Sequence, residues 1–212
     1  NCLCQFNAMP MGFCASPRLW HKVVRPVLGY IRKVLMIRLV IATDDILCLG
    51  RTEEECRVNT WKILELLVRL GFHINCKKTK PDPKQRCQFL GMIVNSQDMS
   101  LSLPADKVAN WRKQAKQLLA EPTNRVSEAA LASLCGRLNF ATACVSPARL
   151  LSDEFRALLR TVRKQRVDQV QLTQRAKAHL RWWVDELETW NGRTFQLRPP
   201  DYTINTDASD EG

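Results

Sequence analysis

Apolar residues recur at helical spacing from Arg18 to Val34, at Leu19, Val23, Val27, Leu28 and Ile31, and predict a helix there. Pro10, Gly12 and Pro17 break residues 1–17 ahead of it into a loop. Two short aliphatic runs come next, Ile37–Thr43 and Ile46–Leu49, with only Asp44 and Asp45 between them. Runs this short and this rich in branched residues read as buried strands, and a two-residue polar link makes them a hairpin. Thr52 before Glu53, Glu54 and Glu55 marks a helix start, because the hydroxyl caps free N–H groups and the acids favour the positive helix end. That helix carries Val58, Trp61, Ile63, Leu64, Leu67, Val68 and Leu70 and stops at Gly71. Phe72–Asn75 reads as a short strand, Lys77–Lys80 as a basic turn, and residues 87–95 and 99–104 as a hairpin about Ser96–Asp98.

After Pro104 the pattern changes. Residues 105–120, 127–144, 148–166 and 173–190 are four amphipathic helices, and 194–197 and 202–206 a strand pair joined through Pro199 and Pro200. The expected class is α+β, in three parts: a mixed region over 1–104, a helical region over 105–192 and the opening strands of a further unit over 193–212.

Charge narrows the function. The net charge is +11, divided as 15 basic against 8 acidic residues over 1–104, 17 against 9 over 105–199, and 0 against 4 beyond. Positive charge spread this broadly, without Lys/Arg blocks or a basic amphipathic anchor, points to a polyanion, and nucleic acid is the usual one. The nine cysteines form no CxxC pair, so a zinc or redox motif is not expected. No signal peptide or membrane-length apolar run is present in the sequence, and a reducing, intracellular setting (cytoplasm or nucleus) with no membrane partner is expected. Residue 1 is not Met and the chain stops just after a strand-like segment, so an interior piece of a longer polyprotein is expected.

The aspartate pair has two local readings. Adjacent carboxylates repel and resist desolvation unless a cation sits between them. Asp is also a common residue of solvated turns. Locally, both readings stand.

The order of motifs resembles a reverse transcriptase. Met9–Pro17 is similar to the polymerase loop before the palm helix, and Ala42-Thr43-Asp44-Asp45 to the family's aromatic, any residue, then two aspartates. Leu70–Asn75 with Lys78-Thr79 resembles the next motif, Phe89-Leu90-Gly91 the primer-grip hairpin, and Thr206–Ser209 the opening strand of a ribonuclease H domain. The wording, including Leu101–Pro104, looks most like the tyrosine-recombinase class of LTR-type retrotransposons. The resemblance implies a polymerase palm, then a helical thumb and connection, then the start of a ribonuclease H-like domain. It implies RNA-directed DNA polymerisation with Mg²⁺ or Mn²⁺, a DNA primer on an RNA or DNA template, deoxynucleoside triphosphates, and further polyprotein domains as partners.

Residue by residue, the resemblance makes Asp44 the direct metal ligand and Asp45 a weaker ligand or electrostatic support. Nucleotidyl transfer of this kind uses two divalent ions roughly 3.5–4 Å apart, and oxygen donors suit magnesium. A third carboxylate, on a strand before residue 1, is expected to complete the set. Pro10 and Gly12 would bring backbone close to a nucleotide, against the local alternative of an ordinary turn. Lys78 would attend the triphosphate, against a solvated lysine. Phe89, Leu90 and Gly91 would hold the primer terminus, a role compatible with a core hairpin. Asp207 would be the first metal ligand of the ribonuclease H site, whose other carboxylates lie beyond Gly212. His21, His73 and His179 lack ligand spacing; Trp182, Trp183 and Trp190 read as core rather than a stacking platform. Arg156, Arg160, Arg163 and Lys164 share a helical face that follows a phosphate backbone or faces solvent. The clear departure is Ala42, where the family usually places Tyr or Phe.

Overall fold

The structure, a computed structural model, describes residues 8–10, 12–196 and 202. It is mixed α/β with antiparallel sheets and divides after Leu90 into two compact units.

The first unit opens on α1 (Ser16–Lys33). Pro17 is inside its first turn, where a missing N–H costs nothing, so the helix starts before the proline rather than after it. The buried face also differs from the expected one. Leu19 and Val23 are exposed, while Val24 and Ile31 are buried, with Val27 and Leu28 packed against the cluster that holds Ile31. Apolar residues lie on two faces of this helix, and the packing selects one of them. The strands β1 (Arg38–Ala42) and β2 (Asp45–Leu49) pair in antiparallel register from Arg38↔Leu49 to Ala42↔Asp45. Leu39, Ile41, Ile46 and Cys48 face the core, where they meet Ile37, Ile63 and Leu67. The helix α2 (Glu53–Arg69) is capped as expected, Glu55 N donating to Thr52 Oγ1 at 3.1 Å, and Glu55 Oε2 accepts from Arg51 N at 2.8 Å.

Phe72–Asn75 is not a strand. Gly71 N and Phe72 N donate to Val68 O and Leu67 O, so the chain folds back on the helix end and joins no ladder. The alternation that suggested a strand is real: Phe72 and Ile74 are half-buried against the core and His73 and Asn75 exposed. A period of two fixes which side chains turn inward, not whether the backbone pairs. The unit ends with β3 (Arg86–Phe89).

The second unit contains β4 (Met92–Asn95), β5 (Ser100–Ser102) and β8 (Arg193–Thr194), paired antiparallel in that order. Its helices are α3 (Ala105–Ala120), α4 (Glu128–Ala141), α5 (Ala148–Gln165) and α6 (Gln174–Asp185). All four expected helices are present; the last five residues of the 173–190 segment are looser than α-helix. Ser127 and Thr173 cap α4 and α6 through their hydroxyls. Two further strands, β6 (Arg125–Ser127) and β7 (Gln169–Gln171), pair with each other and are too short to show a period in sequence. Leu131, Phe155, Val162 and Leu180 are wholly buried in one core with Trp183. Trp182 stacks edge-on to Trp183 and tilts against Trp190, so the tryptophans are packed as core and core margin. The Asn191 side-chain amide bonds both the N–H and the C=O of Leu103, at 2.7 and 2.9 Å, and ties the chain after α6 to the start of α3. The strand expected at Tyr202–Thr206 and the whole Asp207 motif lie outside the described residues, except Tyr202.

The seven cysteines among the described residues are free. Burial pushes the Cys144 thiol up to about 11, opposed by the nearby Lys107 ammonium. A thiol whose pKa is raised on folding is protonated in the folded state over a range where the unfolded chain has lost its proton. Stability is therefore full below about pH 9 and falls as pH rises towards about 11. The wild type is expected to lose on the order of 3 kcal/mol more stability than Cys144→Ala across that window, measured by urea unfolding at stepped pH; parallel curves would refute this.

Candidate functional site

The aspartates occupy the tip of the β1–β2 hairpin. Thr43 and Asp44 form its two-residue turn, and Asp45 is the first residue of β2, directly opposite Ala42. Thr43 has φ +56, a conformation that β-branched residues rarely adopt, as two-residue hairpin turns require at their first central position. The Trp20 indole N–H holds it there, donating to Thr43 O at 2.7 Å, and the ring is set edge-on against Phe72 at 5.8 Å. The end of α1 nearest the loop and the segment after α2 thus fix the turn from two sides.

Both carboxylates are exposed, and neither has a hydrogen bond or ion pair with any described residue. They are hard oxygen donors on consecutive residues, Asp44 in the pinned turn and Asp45 at the start of β2. That donor set fits a divalent cation of the magnesium kind. Two carboxylates are not a full set, and among the described residues no group of three or more His, Cys, Asp or Glu stands ready to hold a metal. Because directly opposed residues share a sheet face, Ala42 and Asp45 point the same way, together with Val40 and Leu47. A ring at position 42 would therefore lie beside Asp45.

The loop before α1 is hooked to the helix by Pro10, whose carbonyl accepts from Ser16 Oγ at 3.0 Å and from Phe13 N at 3.5 Å. Gly12 has φ +84 and open space about its Cα, so the turn itself demands glycine. Lys78 is exposed at the end of a turn organised by Asn75. Asn75 O accepts from Lys78 N, Thr79 N and Thr79 Oγ1, and Asn75 Oδ1 also accepts from Lys78 N. Phe89 is half-buried at the end of β3. Leu90 and Gly91 follow with successive positive φ, +49 and +74, and Leu90 is exposed. The cationic face of α5 is partly neutralised: Arg163 donates to Glu128 at 2.9 Å and Arg156 to Asp153 and Asn139 at 3.3 Å.

Three residues with clear positioning roles carry a weak sequence signal or none. Trp20 could have been suspected as a lone indole donor one helical turn into α1, Asn75 as an Asn ahead of a turn. Lys107, which donates to Gly91 O at 2.9 Å, has no sequence signal, because the contact spans 16 residues.

Residues 3–94, from the loop through the aspartate hairpin to β4, match the family model described as reverse transcriptase (RNA-dependent DNA polymerase). This stretch is similar to the reverse transcriptase family. Members of the family generally use divalent metal ions. Two viral proteins are similar in sequence. The chain is 30% identical over 97 residues to the Gag-Pol polyprotein of gibbon ape leukemia virus, covering 42% of the chain and 5% of that protein. It is 29% identical over 137 residues to Protein P of woodchuck hepatitis B virus (isolate 59), covering 64% of the chain and 15% of that protein. The chain thus spans a small part of each. Among solved structures, the foamy viral protease-reverse transcriptase in complex with double-stranded DNA has a TM-score of 0.64 at 20% identity, over 91% of this chain and 36% of that one. The same viral enzyme in complex with an RNA/DNA hybrid has a TM-score of 0.65 at 20% identity, over 88% and 23%. These likenesses establish a polymerase fold. No described helix is long and apolar enough to cross a membrane.

Proposed function

We propose that this chain is the reverse transcriptase region of a retroelement polyprotein, extending a DNA primer on an RNA or DNA template. The observation that carries the reading is the aspartate hairpin: two carboxylates on consecutive residues, free of partners among the described residues, at the tip of a hairpin whose turn is pinned by Trp20. Asp44 would hold the divalent ion, Mg²⁺ or Mn²⁺, with Asp45 as the weaker ligand. When bound, the ion supplies activation of the primer hydroxyl and charge stabilisation of the departing pyrophosphate. Pro10 and Gly12 would present backbone to the incoming deoxynucleoside triphosphate, and Lys78 would neutralise and protonate the leaving group. Phe89, Leu90 and Gly91 would hold the primer terminus. By motif order, we assign residues 1–104 to the palm, 105–192 to the thumb and connection, and 193–212 to the start of a ribonuclease H-like domain with Asp207 as its first metal ligand. The subclass we assign is the tyrosine-recombinase class of LTR-type retrotransposons.

Ala42 favours a second reading, a nucleic-acid-binding relic of the same fold, because the aromatic expected beside Asp45 is missing. Primer extension by the polyprotein that carries this chain separates the two. Templated incorporation in Mg²⁺, increased by Ala42→Tyr, is the expected result. Duplex binding that weakens steeply with salt, with no incorporation by either form, would establish the relic instead.

A further inference from the structure

Gly91 is held by a residue that no motif contains. Lys107 lies in the first turn of α3, its ammonium donating to Gly91 O at 2.9 Å while resting 4.4 Å from the centroid of the Phe140 ring. Phe140 is itself set edge-on against Trp111, at 6.2 Å and 82°. A Cβ on Gly91 would fall 2.6 Å from Lys107 Nζ and 3.5 Å from Phe140 Cζ, so the cation occupies the space a side chain would need. The ammonium is thus committed to a carbonyl and a ring face, which together restrain a flexible side chain. The carbonyl it holds belongs to the turn in which Leu90, a large exposed residue, is kept at φ +49. Leucine avoids that region, and such a conformation persists only where its surroundings enforce it.

We propose that Lys107 is a positioning residue: by fixing the Gly91 carbonyl it sets the Leu90–Gly91 turn in the shape that receives the primer 3′ terminus. The proposal rests on the assignment of Phe89–Gly91 to primer holding made above. Lys107 acts here through a backbone carbonyl, so its loss should be felt at a primer end and not along a duplex.

The test uses fluorescence anisotropy with the full chain on two probes of equal length, a primer–template with a recessed 3′ end and a blunt duplex. Wild type is expected to prefer the recessed end. Lys107→Met should cut that preference about tenfold, while affinity for the blunt duplex falls about twofold through the loss of one charge. Lys107→Arg, which keeps a cation over Phe140, should retain most of the preference. Gly91→Ala should lose it with the lysine charge intact, which keeps the test decisive if Lys107→Met folds poorly. Equal losses on both probes for Lys107→Met, or an unchanged preference in Gly91→Ala, would overturn the proposal. A wild type with no preference at all would overturn the primer-holding assignment, and this proposal with it.

Discussion

Alanine in place of Phe155 is expected to destabilise the second unit by about 3–5 kcal/mol, the range for truncating a fully buried aromatic. Phe155 has no exposed surface and lies on α5 in the same core as Leu131, Val162 and Leu180, its ring edge-on to His179 at 6.2 Å. The truncation removes apolar contact and leaves a void that neighbours on other elements can fill only in part. Domains of this size have roughly 5–15 kcal/mol in total, so a third or more would be lost. Urea unfolding followed by tryptophan fluorescence reads the effect, since Trp182 and Trp183 report on the same core. Leu150→Ala, on α5 but 74% exposed, should change stability by no more than about 0.5 kcal/mol. Similar midpoints for the two variants would contradict the assigned core.

Asp44→Asn is expected to leave the fold intact and remove incorporation almost entirely. Asp44 is exposed and without a partner among the described residues, so the amide should alter stability by less than about 0.5 kcal/mol. Its charge is what a divalent ion needs. Metal stabilisation of the transferring group is worth several kcal/mol, which converts to a loss on the order of a thousandfold in the single-turnover rate. Asp45→Asn should lose less, because its assigned role is that of the weaker ligand. A large loss in Asp44→Asn together with a lowered melting temperature would mean that the residue serves the hairpin and not the chemistry.

The sequence was informative where a residue acts on its near neighbours. The aspartate hairpin is legible from two aliphatic runs and a polar pair. The start of α2 is legible from Thr52 and three glutamates, and the four later helices from spacing and proline breaks. What required tertiary structure was the choice between competing faces. α1 has two apolar faces, and only tertiary packing decides that Val24 is inside and Val23 outside. Phe72 and Ile74 turn inward without joining a sheet, since inward alternation does not require a paired edge. The supports of the candidate site were the least legible part. Trp20 reaches Thr43 across 23 residues and Lys107 reaches Gly91 across 16, and nothing local at either end announces the partner.

The most direct measurement is single-nucleotide incorporation onto a primer–template by the polyprotein carrying this chain, with Mg²⁺ titrated, for wild type and Asp44→Asn side by side. Incorporation that saturates with Mg²⁺ in the wild type and falls by about a thousandfold in the variant, at unchanged melting temperature, is the predicted result. Equal incorporation by the two proteins at every Mg²⁺ concentration would contradict the assignment of the aspartate hairpin as the site of nucleotidyl transfer.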